Sequence, residues 1–295
     1  MSTRSLSRRQ FLLSASHAAL ASSVLSCATA PETEVRGKKS TPALRLSTSS
    51  IHFHGLPVED ACERIARLGF GAVDIWSGYQ GCPHLDDVKK RLGARGLTHT
   101  LEACKLELFA FSVYVGGFPM YAKLLGESGG GVAVRGSEGP CDPEDLVPRM
   151  KAFLEGLKPQ VALAEKNNTR LAIENHGHAL LNSLDSLKAF VDLNESPHLG
   201  IALAPYHLQA AKPSVEEAIG ICGEQLLFFY AWQRAAGVKQ LPGHGPTDFK
   251  PWVEALAKAG YGGYLNIFMH GDLKPDAMEA ALAKSRDYLT QCSGS

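Results

Sequence analysis

The sequence has no Cys-x-x-Cys pair, although seven cysteines lie along it at positions 27, 62, 82, 104, 141, 222 and 292. That removes zinc-finger and dithiol redox motifs. It has no surplus of either charge, with 30 basic and 30 acidic residues. Nucleic-acid binding needs a basic surface, so that class is excluded. It has no glycine-rich phosphate loop where a first strand ends. Ser49-Ser50-Ile51-His52-Phe53-His54 stands there instead, which argues against a dinucleotide-binding sheet. Beyond the first thirty residues no apolar run is long enough to cross a bilayer.

What is present begins with Ser7-Arg8-Arg9-Gln10-Phe11-Leu12-Leu13. It reads as a twin-arginine export signal, in which basic residues precede an apolar run. The run, about Phe11 to Leu25, is too short and too rich in Ser and Ala for a span. Ala28-Thr29-Ala30 fits a small-x-small cleavage site, with Pro31 just after it. Val24-Leu25-Ser26-Cys27 resembles a lipoprotein box, so a lipid on Cys27 is the alternative. Residues 1–30 are read as the signal, 31–42 as a polar tether and 43–295 as one domain. The expectation is an exported, periplasmic protein that engages the twin-arginine machinery. Its only expected membrane contact is a lipid on Cys27. Arg4, Arg8 and Arg9 leave with the signal, and the rest carries a net charge of about −3. Such substrates fold in a reducing compartment, so the other six cysteines are expected as free thiols, mostly packed as small hydrophobes.

From Ala43 onward apolar strands alternate with amphipathic helices, the rhythm of a parallel sheet. Strands are expected at 44–49, 72–76, 108–113, 131–135, 171–175, 199–204, 226–232 and 263–268. Helices are expected at 57–68, 85–92, 97–104, 143–166 (interrupted near Pro159), 184–193, 215–222, 249–259 and 275–289. Eight such units in about 250 residues match a single closed (β/α)8 TIM barrel.

The chain is organised around Leu171-Ala172-Ile173-Glu174-Asn175-His176-Gly177-His178. Strand side chains alternate, so Ala172, Glu174 and His176 share one face. A parallel strand is buried on both faces and has no cheap place for a lone carboxylate. Glu174 therefore marks a site. In a barrel, reactive residues sit at the C-terminal strand ends. His54, Trp76, His84, Tyr114, Arg135, Glu174, His176, His178, His207, Gln233, Arg234, His244, Asn266 and His270 all fall at strand ends or in the loops after them. Arg135 and Arg234 are candidates to hold a substrate carboxylate or balance Glu174. Trp76 and Tyr114 are candidates to stack on a sugar, or are rim packing.

These residues resemble the xylose-isomerase-like barrel superfamily of sugar isomerases and epimerases. The likeness spans about Leu44 to Leu289. It is carried by Gly69-Phe70-Gly71-Ala72-Val73-Asp74-Ile75-Trp76, by Leu171-Ala172-Ile173-Glu174-Asn175-His176, and by Pro242-Gly243-His244-Gly245-Pro246-Thr247-Asp248-Phe249. Metal-dependent members hold a divalent ion with one residue from each of strands five to eight, usually Glu, Asp, His and Glu. Glu174 matches the first. The other positions fall on Ala204, near Tyr230 and on Asn266. A metal would then need Glu174 with histidines from His176, His207, His244 and His270. Such a mixed shell suits manganese, zinc or iron.

The resemblance implies an enzyme that moves a proton beside a carbonyl of a sugar or oxidised (keto) sugar. Glu174 is the candidate base or metal anchor. His207 is the candidate acid or substrate-hydroxyl contact, and Arg135 or a metal the candidate oxyanion partner. Substrate contacts are expected from Trp76, His84, Tyr114, Arg135, His176, Gln233 and Asn266. Isomerase, epimerase and β-eliminating lyase or hydratase on keto-glycosides share this first step. A non-catalytic carbohydrate-binding barrel is the alternative from another class. A multi-zinc nuclease would need more ligands and a basic surface.

Overall fold

Parallel strands pair in chain order and close on themselves, β1 to β8 and back to β1. The structure, a computed structural model, describes residues 44–209 and 214–294. The expected signal and tether, with Cys27, lie outside the described residues. The strands are β1 Leu46–Ser49, β2 Ala72–Trp76, β3 Glu107–Ser112, β4 Val132–Gly136, β5 Arg170–Glu174, β6 Leu199–Leu203, β7 Leu226–Ala231 and β8 Leu265–Ile267. The helices are α1 Val58–Arg67, α2 His84–Asp87, α3 Gly93–Cys104, α4 Phe118–Glu127, α5 Leu146–Lys166, α6 Leu184–Leu193, α7 Pro205–Leu208, α8 Val215–Cys222, α9 Lys250–Lys258 and α10 Pro275–Ser293. None of these helices is long and apolar enough to cross a membrane.

The strand alternation sorts the core into two parts. Leu171 and Ile173 face the helices, in one cluster with Val73, Ile75, Phe111 and Ile201. Ala72, Ala110, Ala172 and Ala202 face the barrel interior. Phe109 stacks on Phe228 at 4.7 Å between ring centroids, with Tyr264 at 5.2 Å from Phe109. Each such buried side chain is worth about 2–3 kcal/mol. The β2–β3 register shifts at Val73/Asp74, where β3 carries the extra Phe109. Leu227 is the extra residue where β6 meets β7.

Two helical expectations change. Helix α4 lies between β3 and β4, where the sequence reading placed none. Gly116, Gly117, Pro119 and Gly126 mask it, yet a parallel crossover needs a covering element. Pro159 does not interrupt α5. Its ring lies on the exposed side, where the carbonyl left without an N–H can meet water. Cys62, Cys82, Cys104, Cys141, Cys222 and Cys292 are all free thiols, four of them buried.

Candidate active site

Glu174 ends β5 on the interior face, beside Ala202 and Gly136 on the neighbouring strands. It is 8 % exposed. Tyr114 donates to its Oε2 at 2.8 Å. The Tyr114 and Tyr230 hydroxyls are hydrogen-bonded to each other at 3.0 Å. His207 Nε2 stands 4.0 Å from Glu174 Oε1. Asn175 brings these two together. Its Oδ1 accepts from Ala204 N at 2.6 Å, and its Nδ2 donates to Ala204 O at 3.2 Å. Ala204 leads directly into α7, which carries His207.

A cavity of about 370 Å³ opens above Glu174. Trp76, Tyr79, Tyr114, His176, His207 and His270 line it with Glu174, together with the 136–139 loop. Trp76 stacks on Phe268 at 5.1 Å. The His176 and His207 rings are 4.0 Å apart. Buried Nδ1 of His270 has no partner, an atom free to meet a ligand.

Burial sets the protonation states. It raises Glu174 to about 7, opposed by the Tyr114 hydrogen bond. It lowers His207 to about 3 and His270 to about 4, with His176 adding to both. It lowers His176 as well. At neutral pH the cavity thus holds a carboxyl near half-ionisation among neutral imidazoles. A carboxyl so poised can take a proton and return it.

The other sequence candidates lie elsewhere. His84 is buried under the α1 loop, its Nε2 on Leu56 O at 2.9 Å, outside the cavity. Arg135 occupies an outward position on β4, next to inward Val134. It donates to Gly136 O and to Gln160 of α5, so it does not face Glu174. Gln233 braces the β7 loop, donating to Leu241 O and accepting from Thr247 N. Asn266 lies inside the barrel and joins Ser47 to Ser49. His244 meets Ala281 O at 3.0 Å, on the α10 side. The sequence reading missed Asp74 and Ser112 as polar interior groups, and Tyr230 as a partner of Tyr114.

The residues do not fit a divalent metal. Among the described residues no group of three or more His, Cys, Asp or Glu side chains is arranged to hold one. His244 is turned away, and the Glu174 carboxylate is held by a phenol instead. Ala204, Tyr230 and Asn266 supply no anion.

The model of the xylose isomerase-like TIM barrel family matches residues 62–292. The chain belongs to that family. It is 26% identical over 141 residues to L-ribulose-5-phosphate 3-epimerase UlaE of Escherichia coli. The match takes in 47% of this chain and 49% of UlaE, so the chain spans about half the length of the curated relatives it matches. Among solved structures it resembles 3-keto-D-glucoside 4-epimerase YcjR of E. coli, with a TM-score of 0.65 at 15% identity. That match covers 83% of this chain and 99% of YcjR. A D-tagatose 3-epimerase-like protein matches with a TM-score of 0.65 at 17% identity, over 83% and 97% of the two chains. Such low identities speak for the fold alone.

Proposed function

We propose that this protein is an exported sugar epimerase or isomerase that moves a proton at a carbon beside a carbonyl. Its substrate is an uncharged sugar or keto sugar. One observation carries the reading: Glu174 is a buried, near-neutral carboxyl held by Tyr114 and opening into a cavity beside neutral His207. The epimerases UlaE and YcjR support it as relatives by sequence and by fold.

Glu174 takes the proton from the substrate C–H as base. Trp76 and Tyr79 offer aromatic faces for the sugar ring. Neutral His207 and His270 offer ring nitrogens to substrate hydroxyls. Return of that proton by Glu174 to the neighbouring carbon gives an isomer, whereas an epimer needs a proton delivered to the same carbon on the opposite face, by solvent or by a group other than Glu174. No metal enters these steps, because the donor set does not fit one. Export rests on Arg8 and Arg9, outside the described residues.

The test is exchange of sugar C–H protons with deuterated water, across free sugars, keto sugars and keto-glycosides. Exchange abolished by Glu174→Gln supports the proposal. Binding without exchange on every sugar would replace it with the carbohydrate-binding reading. Loss of a leaving group with exchange would make it a lyase.

A further inference from the structure

Four large hydrophobic side chains are exposed among the described residues: Tyr79, Val115, Met120 and Val147. An exposed apolar side chain is ordinary on its own, but a cluster beside a cavity is not. Three of the four meet at one place, the cavity rim beyond β2 and β3. Tyr79 lines the cavity, its ring 5.8 Å from Trp76 and 6.2 Å from Tyr114 between centroids. Val115 follows Tyr114 in the loop after β3. Its Cγ1 lies 3.6 Å from where a Cβ on Gly78, the residue before Tyr79, would stand. Met120 comes next, in the first turn of α4. A Cβ on Gly116 would be 2.9 Å from its Sδ.

Hydrogen bonds and glycines hold this rim together. Val115 N donates to Ser77 Oγ at 3.1 Å, joining the β3 loop to the β2 loop. The Tyr121 hydroxyl donates to Asp86 at 2.7 Å, joining α4 to α2. Gly116 has a φ of 83°, which glycine adopts freely, and it has no Cβ to push Met120 away. Gln80, directly after Tyr79, has a φ of 49°, a conformation that a residue with a side chain seldom adopts. Such strain persists where the surrounding structure fixes it, often at a ligand site.

The cavity mouth has two unlike sides. Ser137, Glu138 and His178 make one side polar, and the Tyr79 side is apolar. A free sugar in the cavity finds Glu174, His176, His207 and His270 for its hydroxyls, and the rim offers it no polar partner. An apolar group joined to that sugar is favoured there, because covering the rim takes apolar surface out of water. Three side chains are a poor fit for a second protein chain, since a stable interface engages about 20–30 residues a side. We propose that Tyr79, Val115 and Met120 form a subsite for an apolar aglycone, an aryl or alkyl group joined to the sugar in the cavity, so that the substrate is a glycoside rather than a free sugar. The inference rests on the reading of the cavity as a sugar site.

The test uses the full chain with matched phenyl and methyl glycosides of glucose and galactose, each also in its oxidised, keto form. By calorimetry a phenyl glycoside should bind about tenfold more tightly than its methyl counterpart, the gain expected from covering an apolar ring face. In the double variant Val115→Ser with Met120→Gln that ratio should fall to near one. Both side chains are exposed, so the change leaves the core alone. Methionine labelled at its methyl group gives a second readout. The Met120 resonance, assigned by its loss in Met120→Gln, should shift with the phenyl glycoside through the ring current and barely move with the methyl one. Equal binding of the two glycosides, binding of neither, or an unmoved Met120 resonance would overturn the subsite. So would self-association that the double variant abolishes, which would give the rim to a second copy. Exchange of sugar C–H protons keeps this inference apart from the functional reading it rests on. Exchange with equal kcat/KM for phenyl and methyl keto-glycosides overturns the subsite and leaves the epimerase or isomerase in place. Phenyl selectivity with a shifted Met120 resonance, and no exchange on any glycoside, keeps the subsite and overturns the enzyme.

Discussion

Tyr114 donates to Glu174 across 2.8 Å, the sole hydrogen bond to that carboxylate among the described residues. The bond favours the ionised form and opposes the rise that burial causes. Tyr114→Phe removes it without changing shape. The Glu174 pKa should then rise, and the acid limb of the pH–rate profile should move to higher pH. A limb that stays in place would mean that Tyr114 does not tune the base.

Glu174→Gln should cut exchange by roughly 10² to 10⁴-fold, the usual range for a lost acid–base group. His207→Asn should cost a similar factor if the pair acts as a unit. The double variant should then be little worse than the poorer single. Stability has its own sign. Glu174 is raised from 4.5 to about 7 on folding, a shift worth about 3 kcal/mol. The folded state therefore favours the protonated form. Its contribution is fully present below the unfolded pKa and is lost as pH rises through about 7. Melting should show Glu174→Gln gaining on the wild type as pH rises across that window. A constant difference would place the carboxyl in a wetter setting.

The barrel was legible because strand and helix periods alternate, and Glu174 because a carboxylate is costly inside a parallel strand. Asp74 met the same criterion on β2 but was read only as part of a family-like passage. Arg135 shows where residue-type reasoning stops. Alternation with Val134 turns it outward to Gln160, whatever its charge could do for a substrate. His84 opens α2, and Gln233 and His244 sit in the loops after β7, where sequence gives no facing. Backbone groups claim His84 Nε2, His244 Nε2 and the Gln233 amide. Helix α4 was hidden by its glycines and proline.

The donor set gives a metal prediction. Elemental analysis of purified protein should find well under one equivalent of manganese, zinc or iron. A chelator should leave the melting temperature unchanged. One equivalent that Glu174→Gln removes would instead return Glu174 to a ligand role, with His176 and His207 as its partners.

Export is tested separately, since Arg8 and Arg9 lie outside the described residues. Lysine at both positions should hold the protein in the cytoplasm. Cys27→Ala should release it from membranes if the lipid is used, and should leave its distribution unchanged if the signal is cleaved. Unaltered export of the double-lysine variant would remove the twin-arginine reading.

The last prediction concerns substrate charge. UlaE is named for a sugar phosphate, yet this cavity is lined by Glu138 and Glu174 and by no lysine or arginine. His176, His207 and His270 are lowered by burial and add no positive charge at neutral pH. Arg149 reaches only the exposed Glu138, at 3.5 Å. Arg234 is exposed and lies over the Tyr206 ring, 5.7 Å from its centroid. A phosphate in the cavity would meet the Glu174 carboxylate without a fixed partner. Two like charges about 6 Å apart repel by about 3 kcal/mol at an effective dielectric constant of about 20. A neutral sugar avoids that cost and can use the aromatic faces of Trp76 and Tyr79. Neutral sugars should therefore show kcat/KM at least about 100-fold above their phosphorylated counterparts, a gap that follows from that repulsion. The gap should widen as pH rises and Glu174 ionises fully. Equal or better turnover of the phosphorylated sugar, lost on replacing Arg234 with Gln, would mean that the rim arginine holds the phosphate and that the cavity's lack of cations does not set its specificity.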